Sequence, residues 1–166
     1  MKANILIHNS LVNANFKTVV ALPDSQSSPL LKHIIQEKKM SYIQCSHESD
    51  CVGISTGLNL CNELTLTIME SSGLRNACET LARFHLSHSL YNIYLIANRG
   101  AFGERNWWGQ AHSATMEPLL ELLRFRFVYL NDANDIPKVI NKSVNDFLAR
   151  QSSIAIVINP DLLKDI

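Results

Sequence analysis

Residues 45–76 read CSHESDCVGISTGLNLCNELTLTIMESSGLRN, and this stretch decides the fold. Its first half is rich in Ser, Thr and Gly and predicts a helix over Glu48–Cys61, opened by a single acid, Glu48. An apolar strand is predicted over Leu64–Met69, followed by a tight turn at Ser71-Ser72-Gly73 and a second helix from about Leu74. In an open parallel sheet, both strand-to-helix junctions lie at the carboxyl edge, where ligands bind.

The composition predicts one globular domain over residues 1–166, because 46% of the residues are apolar and no linker divides the chain. The net charge is zero, which argues against binding nucleic acid or a membrane surface through charge. No apolar run is long enough for a membrane span and no signal peptide is recognised, so we expect a cytoplasmic protein. The four cysteines form no C-x-x-C pair, and we expect reduced thiols and no zinc site.

Apolar runs alternate with helical segments, which predicts an α/β fold: a doubly wound, roughly six-stranded parallel sheet with helices on both faces. The predicted strands are Phe16–Leu22, Tyr42–Cys45, Leu64–Met69, Asn92–Ala97, Phe127–Leu130 and Ile154–Ile158. The predicted helices are Met1–Ala14, Ser28–Lys38, Glu48–Cys61, Leu74–Ser87, Thr115–Leu123 and Ile136–Gln151. Asn98–Ala114 is predicted to be a long loop, with Thr115 capping the helix that follows it.

Four stretches, in order, carry a resemblance to a known family. They are Leu22–Ser25, Glu48 with Val52 and Gly57, Met69–Asn76, and Arg99 through Gly103 to Gln110 and His112. In order and spacing they resemble the pyrimidine-binding domain of thiamine-diphosphate enzymes, and most nearly the phosphonopyruvate and sulfopyruvate decarboxylases. The resemblance covers Leu22 to about Asp132.

The resemblance implies that this chain binds the aminopyrimidine of thiamine diphosphate. Glu48 would hydrogen-bond the pyrimidine ring and help to activate the cofactor, which serves as the electron sink after carbon dioxide leaves a 2-oxo acid. The other residues implied to contact the cofactor are Ser71, Ser72, Gly73, Asn76 and Gln110. Relatives commonly carry an amide at position 71 and Gly at position 75, whereas this chain has Ser71 and Arg75.

Further roles follow from the same resemblance, each with a plainer alternative. Asp24 and His112 would join Glu48 in catalysis, although Pro-Asp-Ser is also ordinary turn chemistry. The residues implied to bind an anionic 2-oxo-acid substrate are Ser25, Arg75, Arg99 and Arg105. For the arginines, a solvated position or a structural ion pair is the alternative. Trp107 and Trp108 form a lid, a subunit contact or part of the core.

The family needs a second domain that holds the diphosphate through Mg²⁺ with a Gly-Asp-Gly motif, and this sequence has no such motif. The resemblance therefore implies an α subunit whose β-subunit partner holds the diphosphate and Mg²⁺, in a heterotetramer or larger assembly. We expect a decarboxylase of a sulfopyruvate-like or phosphonopyruvate-like substrate, with no metal ligands on this chain. The alternatives are a thiamine-diphosphate carboligase subunit and a non-catalytic regulatory or scaffold subunit.

Overall fold

Six parallel strands form the central sheet of the computed structural model, which describes residues 2–100 and 102–164. The strands stand in the order β2-β1-β3-β4-β6-β5. Their bounds are β1 Thr18–Ala21, β2 Ser41–Gln44, β3 Thr65–Glu70, β4 Ile93–Ala97, β5 Arg126–Leu130 and β6 Ile154–Ile158. The predicted six-stranded parallel sheet is confirmed.

Helices cover both faces of this sheet. One layer contains α1 Ala3–Asn13, α2 Ser28–Glu37, α7 Ile136–Arg150 and the short α8 Pro160–Leu163. The opposite layer contains α3 Glu48–Leu60, α4 Ser71–Asn76, α5 Cys78–Leu81 and α6 Gln110–Leu122. Each layer buries its own apolar cluster against the sheet, and the inner strands β1, β4 and β6 are buried along their whole length. Such strands read as continuous apolar runs because both of their faces are covered.

Most element ends differ from the sequence prediction by one or two residues, and two regions near the predicted site differ by more; the first is Ser71-Ser72-Gly73. This triplet is not a separate turn but the first turn of α4, which starts directly after β3. The predicted helix Leu74–Ser87 is also interrupted at Ala77, and its last part, Ala82–Ser87, is a π-helix. Ser and Gly favour turns and helix starts alike, so the local sequence does not separate the two possibilities.

The second difference concerns the predicted loop Asn98–Ala114. Its last part is a 3₁₀ turn at Trp107–Gly109, followed by α6, which begins at Gln110 rather than at Thr115. The hydroxyl of Thr115 donates a 2.7 Å hydrogen bond to the carbonyl of Ala111. Thr115 therefore lies inside the helix and bonds one turn back, so its predicted role as the N-cap is wrong.

Candidate cofactor site

Glu48 begins α3, just beyond the carboxyl end of β2. The residue before it, His47, is extended and caps the helix, because its Nδ1 accepts the backbone N–H of Ser49 at 3.1 Å. With that N–H bonded to His47, the Glu48 carboxylate is not needed as the cap. Its side chain is half-buried and extends towards α4.

Gly73 is the reason that Glu48 can lie against α4. A Cβ atom added at Gly73 would stand 2.7 Å from the Cγ of Glu48 and 3.1 Å from its Oε1. On the next turn of α4, Asn76 donates its Nδ2 to Glu48 Oε2 at 2.6 Å and lies 3.1 Å from His47 Nε2. We call His47, Glu48, Gly73 and Asn76 the Glu48 cluster. The helices α3 and α4 follow β2 and β3, which lie on either side of β1 in the sheet. Together these two helices hold the Glu48 carboxylate in place.

Ser71 and Ser72 have different surroundings, although both were predicted to contact the cofactor. Ser71 is fully buried, and its hydroxyl accepts the backbone N–H of Arg99 at 3.1 Å. It therefore ties the carboxyl end of β3 to that of β4. Ser72 is half-buried and donates to Glu70 Oε1 at 3.2 Å.

Arg75 contacts His112 directly. Its Nη2 lies 2.6 Å from His112 Nδ1, and the indole of Trp108 meets the imidazole edge-on with the ring centroids 5.9 Å apart. The guanidinium of Arg99 lies over the Trp108 ring, 4.5 Å from the ring centroid. We call Arg75, His112, Trp108 and Arg99 the His112 stack. Burial, and next the positive charge of Arg75, hold the pKa of His112 below its ordinary value.

Glu104 organises the loop before α6, and sequence reasoning missed it. Its carboxylate forms an ion pair with Arg99 Nε at 2.8 Å and accepts the backbone N–H of Asn106 at 3.0 Å. This backbone bond is the first of the causes that hold the pKa of Glu104 below its ordinary value. A Cβ atom at Gly109 would lie 2.8 Å from Glu104 Cγ, so that glycine is required by close approach. Glu104 is the only acid between Asn98 and Ala114, a segment that also contains Arg99 and Arg105. A single negative charge near two arginines was the sequence signal that could have indicated an ion pair.

Asp24 and Ser25 lie in the turn between β1 and α2. One oxygen of Asp24 accepts the backbone N–H groups of Gln26 and Ser27 at 2.7 and 2.9 Å, and the other accepts the Ser27 hydroxyl. These bonds are the turn chemistry named above as the alternative for Asp24. Ser25 is exposed. The predicted catalytic role of Asp24 and the predicted substrate contact of Ser25 stay predictions.

Arg99 and Arg105 line a cleft of about 410 Å³ at the carboxyl edge of the sheet. Gln26, after β1, and Asn159, after β6, also line it. Arg105 is exposed, whereas the Arg99 side chain is only 8% exposed and engaged by Glu104 and Trp108. Gln110 is exposed at the start of α6. The Glu48 cluster does not line this cleft, so the predicted residues form two neighbouring groups joined through α4 and the Ser71–Arg99 bond.

A larger cavity, about 510 Å³, lies at the opposite edge, beside Arg126 and Ile154, the first residues of β5 and β6. None of the predicted site residues lines it, and ligands of open parallel sheets bind at the carboxyl edge, so we place no site there.

Across residues 2–100 and 102–164, no three His, Cys, Asp or Glu side chains are grouped to hold a metal ion. No helix in the described part of the chain has the length and apolar character needed to cross a bilayer.

The Glu48 cluster offers a group that can hydrogen-bond an aminopyrimidine ring. Its carboxylate can exchange a proton with a ring nitrogen, and Gly73 lets the Glu48 side chain lie directly against α4. The side-chain amide of Asn76 fixes the rotamer of Glu48 through a bond to a charged acceptor, one of the stronger types of hydrogen bond. The residues present therefore fit the pyrimidine half of thiamine diphosphate.

Comparison with known proteins agrees with this geometry. Residues 1–90 match the family described as thiamine pyrophosphate enzyme, N-terminal TPP binding domain. The chain belongs to this family. The match contains β1 to β3, α4 and all four residues of the Glu48 cluster.

Two curated relatives of this TPP-binding domain carry the same name, sulfopyruvate decarboxylase subunit alpha. The protein from Methanocaldococcus jannaschii is 26% identical over 105 residues, which cover 63% of this chain and 62% of the relative. The protein from Methanococcus maripaludis is 21% identical over 105 residues, which cover 63% of each. The chain thus matches somewhat less than two thirds of the length of these relatives.

Solved structures share the fold. The thiamine diphosphate-dependent 4-hydroxybenzoylformate decarboxylase of Rhodococcus jostii superposes with a TM-score of 0.74 at 18% identity, over 98% of this chain and 31% of that one. The 2-oxoglutarate:ferredoxin oxidoreductase of Magnetococcus marinus gives a TM-score of 0.73 at 11% identity, over 98% and 29%. At such low identities these likenesses establish the fold alone.

Proposed function

We propose that this chain is the α subunit of a split thiamine-diphosphate-dependent 2-oxo-acid decarboxylase. The observation that carries the proposal is the Glu48 cluster, in which α3 and α4 hold one carboxylate against a glycine. Two relatives named sulfopyruvate decarboxylase subunit alpha support both the reaction and the existence of a partner subunit.

Glu48 acts on the pyrimidine ring of the cofactor. Its carboxyl group hydrogen-bonds a ring nitrogen and exchanges a proton with it, while Asn76 keeps the second carboxylate oxygen engaged. Gly73 leaves room for the Glu48 side chain against α4. When bound, thiamine diphosphate supplies the electron sink that makes loss of carbon dioxide from a 2-oxo acid feasible.

The partner subunit holds the diphosphate and its Mg²⁺. Magnesium prefers carboxylate and amide oxygens in an octahedral array, and the described residues of this chain offer no group of three acids or histidines. The cofactor then spans the interface between the two subunits, which assemble as a heterotetramer or larger oligomer in the cytoplasm.

The substrate carries a second anionic group, as sulfopyruvate and phosphonopyruvate do. Arg105 is the best-placed cation for it, because Arg105 is exposed in the cleft at the carboxyl edge. Arg99 helps to shape that cleft, but its charge is already opposed by Glu104 at 2.8 Å. Arg75 is engaged by His112 at 2.6 Å.

Equilibrium binding of thiamine diphosphate with Mg²⁺ tests the shared site. Calorimetric titration is made into this chain alone, into the partner that copurifies with it from the native host, and into the complex. Tight binding by the complex together with weak binding by this chain alone is expected. Tight binding by this chain alone, at the affinity of the complex, would refute the shared site. Analysis of products from the complex separates decarboxylation from carboligation.

A further inference from the structure

The contact between Arg75 and His112 constrains the protonation of the imidazole. An arginine side chain has five N–H donors and no acceptor, so its Nη2 at 2.6 Å from His112 Nδ1 must donate. Nδ1 must therefore be an unprotonated acceptor. Where that bond forms, the imidazole is neutral and carries its one proton on Nε2.

We infer that Arg75 is a positioning residue that holds His112 as the neutral Nε2–H tautomer, leaving Nε2 as the atom through which His112 donates or exchanges a proton. The catalytic meaning of this inference rests on the proposed function. The tautomer itself is a property of this chain.

The packing around His112 supports this fixed state. Trp108 meets the imidazole edge-on with the ring centroids 5.9 Å apart, and the guanidinium of Arg99 lies over the Trp108 ring. Arg75 contacts the imidazole from α4, the helix that also carries Gly73 and Asn76 of the Glu48 cluster. A shift of α4 would therefore move both groups together.

The charges that face His112 come from four places. Arg75 on α4 and Arg99 after β4 lower the pKa of the imidazole, whereas Glu70 at the end of β3 and Glu104 in the loop raise it. Burial is the largest influence and also lowers the pKa. Because the cationic form cannot accept from Arg75 at Nδ1, protonation would break the contact and place two positive charges side by side.

The bond to His112 bears on the predicted role of Arg75 in substrate binding. A guanidinium that already donates to an imidazole is less available to bind a substrate anion than a free guanidinium. The family resemblance described above implies glycine at this position. The presence of Arg75 gives this chain a control on His112 that a glycine at this position lacks.

The test is nitrogen-15 NMR of this chain, with long-range spectra that report which imidazole nitrogen carries the proton. The His112→Gln variant identifies the His112 signals among the six histidines. In the wild type we expect an unprotonated Nδ1 and a protonated Nε2, with the neutral form persisting below the pH at which an exposed histidine titrates. Arg75→Gln should move the His112 titration to higher pH, and Arg75→Lys, which keeps the charge, should restore much of the shift.

Arg83→Gln is the matched control. Arg83 lies eight residues after Arg75 in the sequence; its side chain is 64% exposed and paired with Glu79, and its loss should leave the His112 signals unchanged. In the complex, Arg75→Gln should lower kcat about tenfold and displace its pH profile, with little change in KM.

An Nδ1–H tautomer in the wild type, or an unchanged His112 titration in a folded Arg75→Gln chain, would overturn the inference. So would an Arg75→Gln enzyme that changes only in KM, because that result marks Arg75 as a substrate anchor. The NMR result needs neither cofactor nor partner, so it can fail without affecting the proposed function, and the reverse also holds.

Discussion

Replacing Gly73 by Ala should separate the stability of the fold from the function of Glu48. The new methyl group would stand 2.7 Å from Glu48 Cγ, 3.1 Å from Oε1 and 3.3 Å from Cδ. Gly73 lies within α4 and has no positive φ, so alanine suits its backbone. The obstacle is the Glu48 side chain alone, which can rotate away.

The sizes of the two effects follow from these contacts. Ordinary contacts begin at 3.4 Å, so Glu48 must withdraw by about 0.7 Å, and a misplacement of roughly this size costs up to about 100-fold in rate. The bond from Asn76 to Glu48 is strained or lost, at a cost of about 1.5–3 kcal/mol, reduced because the site is partly exposed. Alanine returns about 1 kcal/mol of helix propensity. The free energy of unfolding should therefore change little while activity falls sharply.

Two measurements on the Gly73→Ala variant test whether activity falls while stability is kept. Denaturant titration gives the free energy of unfolding of the chain, and the rate of decarboxylation is measured in complex with the partner. Gly57→Ala is the control, since it lies in α3 and a Cβ atom there meets nothing within 4 Å. That variant should keep its activity. A Gly73→Ala complex with wild-type activity, or a loss of several kcal/mol of stability, would refute the idea that Gly73 exists to make room for Glu48.

Three further predictions follow from other contacts. Asp24→Ala should lower the free energy of unfolding by about 1 kcal/mol, because three local hydrogen bonds to its carboxylate are lost, and Asp24→Asn should recover most of it; a stable but inactive Asn variant would show that the carboxylate is catalytic. Burial lowers the pKa of His85 from 6.5 to about 4, so the unfolded chain binds the additional proton between these values and stability falls as the pH falls. Between pH 7.5 and pH 5, denaturant titrations should show a loss of stability that is about 2 kcal/mol larger in the wild type than in His85→Gln, and equal losses in both would contradict this. Glu104→Gln removes the charge opposite Arg99 and should speed trypsin cleavage in the loop before α6, whereas unchanged cleavage would show that the ion pair does not hold the loop.

The sequence predicts the sheet well, for a clear physical reason. A strand buried on both faces must be apolar at nearly every position, and Ile93–Ala97 and Ile154–Ile158 can be recognised from that property alone. Helix starts are harder to predict. Ser71 starts α4 because its hydroxyl bonds the backbone of Arg99, 28 residues further along the chain. Gln110 starts α6 after a loop that contains the ion pair of Glu104 with Arg99, and the local sequence does not show with which arginine Glu104 pairs.

The candidate site also contains some contacts that the sequence predicts and others that it does not. Glu48, Gly73 and Asn76 could be predicted as a group from the family resemblance, and the structure brings them into contact. The pairing of Arg75 with His112 could not be predicted, because it depends on where α4 and α6 meet. A sequence does not distinguish an exposed arginine from one that hydrogen-bonds an imidazole.

We propose that this chain supplies the carboxylate that activates thiamine diphosphate in a site shared with a partner subunit. The most direct test is the rate of carbon dioxide release from a 2-oxo acid such as sulfopyruvate by the complex containing Glu48→Gln. Asp50→Asn, which removes an exposed acid from the same helical turn, is the matched control. We expect Glu48→Gln to lower kcat by about 100-fold or more and Asp50→Asn to leave it within about twofold. Equal rates for the wild type and Glu48→Gln would show that Glu48 does not activate the cofactor and would favour a scaffold role.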